Sequence, residues 1–300
     1  YMGTGFDYPS YYKDFWEYNP VANMWIQKAD FAGTARVLGV GFSIGSKGYI
    51  GTGSTSDYKD FWEFDPAYNI WTQKADFGGT TRSGAVGFSI GSKGYIGTGN
   101  DVNYRKDFWE YDPSANTWTQ KADFGGSARV WAVGFSIGSK GYIGTGYGYD
   151  GSFRKDFWEY DPAANIWAQK ADLGGTSRWR AIGFSIGSKG YIGTGQDGSF
   201  RKDFWEYDPA ANTWTQKADF GGTGRSDAAG FSIGSKGYIG TGDGGYETFS
   251  KDFWEYDPVA NTWAQKADFG GGARIGVVGF SIGSRGYIGT GSSIDGLKKD

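Results

Sequence analysis

The sequence predicts an all-β protein built from six similar units, and three observations carry this prediction. The motif Asp-Phe-Trp-Glu recurs at intervals of 46, 47, 49, 47 and 49 residues, and its aspartates are Asp14, Asp60, Asp107, Asp156, Asp203 and Asp252. A second phrase, Gly-Phe-Ser-Ile-Gly-Ser-(Lys/Arg)-Gly-Tyr-Ile-Gly-Thr-Gly, lies between the copies. The third observation is composition, because 54 glycines and 19% aromatic residues suit many short strands joined by tight turns. Since a repeat array needs no boundary between separate cores, we predict a single domain over residues 1–300.

Each unit contains four short segments with strand character, which we call segments A to D. In one unit they are Val133–Ile137 (A), 142–146 (B), 157–160 (C) and 166–171 (D). Segment A alternates apolar with small residues, as expected for an innermost strand crowded near an axis. The sequence Gly-Ser-Lys-Gly at 138–141 predicts a hairpin turn from A to B, and Asp-Pro-Ala-Ala-Asn at 161–165 predicts the turn from C to D.

Large aromatic residues on both faces of these strands predict a sheet that is covered on both sides. Radially packed blades meet this demand, so we predict a six-bladed β-propeller of four-stranded antiparallel blades. The blades span about residues 37–82, 83–129, 130–178, 179–225 and 226–274, and a closing blade combines 1–36 with 275–300. Pairing N-terminal with C-terminal strands in that blade closes the ring.

The two ends of the sequence carry the same segment. Residues 1–5 repeat the pattern of segment B at 287–291, so one of these two copies must be displaced from a six-bladed ring. We expect the chain to be part of a longer array, and a self-contained natural or engineered ring is the alternative.

The repeat resembles the kelch repeat family, whose motif has a glycine pair closing one strand and a spaced Tyr and Trp on later strands. Here Gly146, Tyr160 and Trp167 occupy those places, and the next unit has Gly195, Tyr207 and Trp214. The resemblance covers the full length and recurs six times. It implies a propeller that binds partners at the mouth of its central channel. The sequence departs from the family at Thr145, where a second glycine is usual. A Thr is compatible with a strand, so this departure bears on the packing at that bend and not on the fold.

Composition narrows the classes of function. The net charge is −3, with lysines spread evenly through the repeats, so we expect neither nucleic-acid binding nor membrane insertion. The chain has no Cys and no His, which removes disulfides, thiolate nucleophiles, imidazole bases and the usual zinc ligands. We therefore predict no enzyme activity, no catalytic residue, no metal site and no cofactor. A bacterial source would slightly favour an extracellular or cell-surface location.

The copies differ at two places, and these predict a binding face. The loop from B to C has 7, 5, 6, 8, 6 and 8 residues in successive units, and the second variable place is the pair after a recurring Arg at the start of segment A. In an antiparallel A-B-C-D sheet both connections lie at the same edge. The candidate ligand-binding residues are the pairs Val37, Leu38, Ser83, Gly84, Val130, Trp131, Trp179, Arg180, Ser226, Asp227, Ile275 and Gly276, the arginines Arg36, Arg82, Arg129, Arg178, Arg225 and Arg274, and the loop aromatics Tyr8, Tyr11, Tyr104, Tyr147, Tyr149, Phe153, Phe200 and Tyr246.

The sequence allows more than one role for the recurring arginines and for the two tryptophans of the variable pairs. The recurring arginines either bind an acidic peptide or sugar acid, or bond to loop carbonyls and stack on rings as part of the structure. Trp131 and Trp179 either bind a ligand or fill the channel as core. The leading function is a module that binds a protein or peptide; the alternatives are a lectin, whose aromatic faces stack on sugar rings, and a structural scaffold with drifting loops. We expect a monomer, with a strand-exchanged oligomer as the alternative.

Overall fold

The computed structural model describes residues 10–245 and 248–293, and all its regular elements in these ranges are β-strands. In chain order they are β1 (Ser10–Tyr11), β2 (Phe15–Asn19), β3 (Met24–Lys28), β4 (Val40–Ile44), β5 (Lys47–Gly51), β6 (Phe61–Asp65), β7 (Ile70–Gln73), β8 (Val86–Ile90), β9 (Lys93–Gly97), β10 (Phe108–Asp112), β11 (Thr117–Lys121), β12 (Arg129–Val130), β13 (Val133–Ile137), β14 (Lys140–Gly144), β15 (Tyr147–Gly148), β16 (Phe157–Asp161), β17 (Ile166–Lys170), β18 (Ile182–Ile186), β19 (Lys189–Gly193), β20 (Phe204–Asp208), β21 (Thr213–Lys217), β22 (Ala229–Ile233), β23 (Lys236–Gly240), β24 (Phe253–Asp257), β25 (Thr262–Lys266), β26 (Val278–Ile282), β27 (Arg285–Gly289) and β28 (Ser292–Ser293).

Six four-stranded antiparallel sheets form the blades of a propeller, which confirms the predicted fold class. Blade 1 is β4–β7, blade 2 is β8–β11, blade 3 is β13, β14, β16 and β17, blade 4 is β18–β21, and blade 5 is β22–β25. Blade 6 joins β26 and β27 from one end of the chain to β2 and β3 from the other, so the predicted ring closure is also confirmed. The copy of segment B that pairs in this blade is therefore the later one; residues 1–5 lie outside the described residues.

The turns follow from local chemistry in every blade. Gly138 and Ser139 form a two-residue hairpin, with Gly138 at a φ of 57°, the conformation that a type II′ turn needs at its first position. Between the third and fourth strands, the Asp161 carboxylate accepts the Ala163 N–H, and Asn165 takes a φ of 55°. Asn is one of the few residues that tolerates this left-handed region, because its short side chain bonds locally.

The hydrophobic core lies between blades. Phe157 of blade 3, which is 1% exposed, stacks on Tyr142 at a centroid distance of 5.4 Å. Its edge also contacts Tyr207 and Trp214 of blade 4, at 4.9 and 5.0 Å. The same arrangement recurs in the clusters of the other gaps. Each blade therefore buries its aromatic residues only against its two neighbours.

Segment B ends two residues earlier than predicted. Strand β14 ends at Gly144, and Thr145 and Gly146 have φ angles of 59° and 99°. A Cβ on Gly144 would lie 2.6 Å from the Phe157 ring, so glycine is needed there. The turn that follows is held by two backbone hydrogen bonds, from the Thr145 N–H to the Asp156 carbonyl and from the Gly146 N–H to the Arg178 carbonyl. The left-handed region is unfavourable for a β-branched residue. This strained Thr occurs at the corresponding position of all six blades, at Thr52, Thr98, Thr145, Thr194, Thr241 and Thr290.

The first strands of the blades surround a narrow central channel. A cavity of about 160 Å³ lies between them, lined by the first residues of β4, β8, β13, β18, β22 and β26. Glycine is required where these strands approach most closely, because a Cβ on Gly183 would lie 2.0 Å from Val133 Cγ1. Segment A was expected to be crowded near an axis, and this contact explains its alternation of large and small residues. A helix able to span a membrane is not found among the described residues.

Candidate functional site

A closed ring of backbone hydrogen bonds surrounds one end of the channel, which we call the mouth. In each blade one N–H donates to the C=O of the equivalent residue in the preceding blade, with N···O distances from 2.9 to 3.4 Å. The six ring residues are Leu38, Gly84, Trp131, Arg180, Asp227 and Gly276. All six have φ angles between 53° and 62°, although four of them are not glycine. Conformations of this kind cluster at functional sites, where the surrounding structure holds them in place.

The two variable parts of each repeat meet at this mouth. The first residue of each variable pair forms an antiparallel bridge with the residue that opens the B-to-C loop, as Val37 does with Ser54 and Trp179 with Gln196. The same bridges join Ser83 to Asn100, Val130 to Tyr147, Ser226 to Asp243 and Ile275 to Ser292. The pairs and the loops therefore form one continuous surface, which we call the mouth face.

The side chains of the ring divide the mouth into two halves. Leu38, Gly84 and Gly276 form a small, apolar half, and Trp131, Arg180 and Asp227 form the other. A cavity of about 120 Å³ lies between them. Because backbone groups of the ring bond to each other, recognition at the mouth must depend on its side chains.

Arg180 is the centre of the polar half. Its guanidinium carbon lies 4.6 Å from the centroid of the Trp131 ring and 4.5 Å from that of Trp179, and these two rings meet edge to face at 4.7 Å. Its Nη1 also donates to the Asp227 carboxylate at 2.6 Å. Cation–π contacts of this kind are strongest when the cation is desolvated. The Arg and the two indoles therefore pack together as one group.

Asp227 is a buried partner for this arginine, with a side chain that is 5% exposed. Burial raises the pKa of its carboxyl above the ordinary value, the Arg180 guanidinium opposes this effect, and Asp243 adds to it. Removing Arg180 would leave this carboxyl without its main partner, which is a costly state for a buried acid.

A continuous group of aromatic rings extends from the mouth along the loops, and we call it the aromatic strip. It consists of Trp131, Trp179, Tyr147, Phe153, Tyr104 and Tyr149. Successive centroids along the path from Trp131 through Trp179, Tyr147 and Tyr104 to Tyr149 lie 4.7, 5.4, 6.4 and 5.7 Å apart. Tyr149, at the outer end, is 79% exposed. The strip crosses from blade 2 to blade 4.

The other predicted aromatic residues do not join the strip. Phe200 lies on the loop of blade 4, where it bridges Gln196 and packs against Gly245. Tyr11 is exposed on β1, which pairs with β28. Tyr8 and Tyr246 lie outside the described residues. Among the variable pairs, Val130 and Ser226 are fully buried, so their side chains do not form part of the surface.

The recurring arginines lie beneath the mouth face, not on it. Arg129 is buried and donates both Nη groups to the Asp156 carboxylate, at 2.6 and 2.7 Å. It also donates to the carbonyls of Thr145 and Ser127 and lies 4.8 Å from the centroid of the Phe124 ring. The same paired donation to the Asp of Asp-Phe-Trp-Glu holds Arg36, Arg82, Arg178, Arg225 and Arg274. Of the two interpretations of these arginines, the structural one holds, since they bond to loop carbonyls and stack on rings. Their placement on the ligand-binding face is corrected, because burial leaves no surface for a ligand to contact.

These ion pairs make stability depend on pH. Burial by itself raises the pKa of Asp156, but Arg129 and the Trp158 N–H outweigh it and hold the pKa below the ordinary value of 3.8. The same causes lower the pKa of Asp107, Asp203 and Asp252. A lowered pKa in the folded state gives stability that is present above the unfolded pKa and is lost as the pH falls through the folded value.

We expect the free energy of unfolding to be constant from about pH 7 to pH 5 and to fall steadily below about pH 4. Urea denaturation at a series of pH values measures this. In an Arg129→Ala variant the free energy of unfolding should decrease less on acidification, because Asp156 then lacks the cation that lowers its pKa. A stability that stays unchanged down to about pH 2.5 would contradict this assignment.

Three ion pairs that were not predicted from the sequence shape the loops from B to C. Arg105 pairs with Asp101, Arg154 with Asp150 and Arg201 with Asp197, each across four residues. The recurrence of Asp-x-x-x-Arg in three of the loops was the signal that could have revealed them. Within the ranges that the structure describes, no group of three or more Asp and Glu residues could hold a metal ion.

Comparisons with known proteins identify the fold alone. No protein-family model matches the sequence, and no curated protein matches it. Solved structures do match it, 560 chains in all. One of them is the structure of YjhT, which is 16% identical, with a TM-score of 0.73 over 85% of this chain and 93% of that chain. At this identity the likeness supports the propeller architecture and says nothing about a ligand.

Proposed function

We propose that this propeller is a non-catalytic binding module that holds a protein or peptide segment on the mouth face. The observation that carries the proposal is the aromatic strip, in which half-buried Trp and Tyr lie beside an Arg and end at the exposed Tyr149. Trp, Tyr and Arg are the residue types that dominate protein-binding surfaces. The opposite face offers nothing comparable among the described residues. It repeats the same two turns, tied together by ion pairs such as Lys140 with Asp161 and Lys189 with Asp208.

We also propose that the units are kelch repeats. Supporting this, Tyr160 is buried and donates its hydroxyl hydrogen to the Asn165 side chain, and the Trp167 Nε1 donates to the Ala122 carbonyl of the preceding blade. The Tyr and Trp of the motif thus secure a turn within the blade and a contact between blades. The equivalent bonds recur through Tyr207 and Trp214.

The proposal predicts that a peptide library displayed on phage will yield sequences that bind the purified protein through the strip. Tyr149→Ala should weaken their binding about ten-fold, because an exposed aromatic anchor contributes on the order of 1–2 kcal/mol. The matched control is Tyr68→Ala, an equally exposed tyrosine at 75% on the opposite face, which should leave binding unchanged. Melting temperatures of both variants verify that they fold.

Carbohydrate binding is the second candidate function, because the open face of Tyr149 and the neighbouring Tyr104 could stack on a sugar ring. A glycan array probed with the same variants distinguishes it. Glycan binding that disappears in Tyr149→Ala, with no peptide selected, would replace the protein-binding proposal by a lectin. Failure to bind either class would leave the scaffold interpretation.

A further inference from the structure

The polar atoms that remain unpaired along the inner end of the aromatic strip are all hydrogen-bond donors. Among the described residues, Trp131 Nε1, Trp179 Nε1 and Arg180 Nε are buried and have no partner. An indole or a guanidinium can only donate. An unpaired buried donor destabilises the free protein, so a ligand that accepts from these groups removes this cost when it binds.

The acceptors around the strip are already engaged. The carboxylates of Asp101, Asp150 and Asp227 each accept from an arginine, namely Arg105, Arg154 and Arg180. Asp101 and Asp227 are also largely buried, so the exposed Asp150 carboxylate is the one of the three that can still accept from a ligand rich in donors, such as a sugar. The strip therefore favours a ligand that offers acceptors and flat apolar surface and few donors.

We propose that the strip binds a proline-rich segment in the polyproline II conformation; this inference rests on the proposed protein-binding function and names its partner. Proline is the one residue whose backbone has a carbonyl acceptor and no N–H donor, and its ring packs on aromatic side chains. The polyproline II helix is also preformed, so little conformational entropy is lost on binding.

The spacing of the rings fits such a helix. Successive centroids along the strip lie between 4.7 and 6.4 Å apart. The polyproline II helix has three residues per turn and rises about 9 Å per turn, so proline rings on one face of the segment are spaced by about two steps of the strip and can meet alternate rings. The segment would run from the mouth at Trp131 toward the exposed Tyr149.

Binding requires a rearrangement of the indoles. A Cβ built on Gly84 would lie 3.0 Å from Trp131 Nε1, so in the free protein this N–H is covered by the backbone of the neighbouring blade. The indole must turn before a peptide carbonyl can accept from it. Binding should thus change the tryptophan fluorescence, and this change should be lost when Trp131 is replaced by Phe.

The experiment is a fluorescence anisotropy titration with two fluorescein-labelled decapeptides, one of ten prolines and one of alternating Gly and Ser. We expect the proline peptide to bind at least about ten-fold more tightly, since only it lacks backbone donors and carries rings. Trp179→Phe keeps an aromatic ring and removes the N–H donor. It should weaken binding about five-fold, which is the loss of affinity expected from one missing hydrogen bond. Tyr149→Ala should weaken binding about ten-fold, and Tyr68→Ala should not change it.

Other outcomes would overturn the inference. Equal affinity for both decapeptides, or Trp179→Phe binding as the unchanged protein does, would exclude recognition of proline by donors of the strip. If the displayed library yields strip-dependent peptides that lack proline while decaproline does not bind, this inference fails and the proposed function stands. If only glycans bind in a strip-dependent manner, both fail.

Discussion

Replacing Arg129 with alanine is expected to lower the free energy of unfolding by about 3 kcal/mol. Arg129 is 1% exposed, and its loss leaves the Asp156 carboxylate and two carbonyls without their donor. Asp156 is still 23% exposed, so water relieves part of the cost and the effect should lie at the lower end of the usual range for a broken buried pair. Urea denaturation at neutral pH measures the change.

A matched arginine shows whether burial causes this effect. Arg201 also pairs with an aspartate, Asp197, but its side chain is 39% exposed. Arg201→Ala should therefore cost less than about 1 kcal/mol. The double variant Arg129→Ala with Asp156→Ala should cost less than the sum of the two single changes, because no charge then remains unpaired. If Arg129→Ala costs no more than Arg201→Ala, the ion pair beneath the mouth face does not stabilise the blade.

Phe157→Ala is expected to cost about 4 kcal/mol, more than the loss of the buried arginine. Phe157 fills the gap between blades 3 and 4 and contacts aromatic rings on both sides. Its removal loses apolar burial and leaves a cavity that two rigid sheets cannot close. Thermal and urea denaturation both report the loss.

Phe153 provides the matched control, four residues earlier in the same blade. It lies on the aromatic strip, where it contacts Tyr147 and Trp179 at 5.5 and 6.1 Å. Phe153→Ala should change stability by about 1 kcal/mol or less, because it leaves no closed cavity. A comparable loss of stability in both variants would mean that the strip is core, and the binding proposals would lose their basis.

The strands could be predicted from the sequence because their signals are local. Segment A was predicted as Val133–Ile137 and has these bounds in the structure. Glycine at the hairpin and Asn165 at the outer turn each determine the conformation of their own residue. Repetition then predicted the number of blades, and the position of the segments at the two ends predicted the closing blade.

Contacts between distant residues were harder to predict. Segment B was predicted to include Thr145, but its strand ends at Gly144, and the turn that follows is held by hydrogen bonds to the distant carbonyls of Asp156 and Arg178. The arginines were placed at the surface because their partner lies far along the chain, 27 residues away for Arg129. One Arg and one Asp recur in each unit at a nearly fixed separation, and this was the available signal. The hydrogen-bonded ring at the mouth joins different blades, so nothing within one repeat indicates it.

Blade 6 gives the molecule a defined point of mechanical weakness. Phe15 of β2 lies opposite Gly289 of β27. The strand that begins the ring and the strand that completes it therefore lie side by side at the centre of the sheet, with the start of β2 and the end of β27 at its mouth-face edge. A pull on the chain before β2 and after β27 would separate these strands one residue pair at a time, beginning at the mouth face. At that edge stand the Arg274–Asp14 ion pair and the two residue pairs between β1 and β28. These contacts hold the two ends of the chain together. The other five blades are each formed from one continuous stretch of chain, so they would bear such a force only after these contacts break.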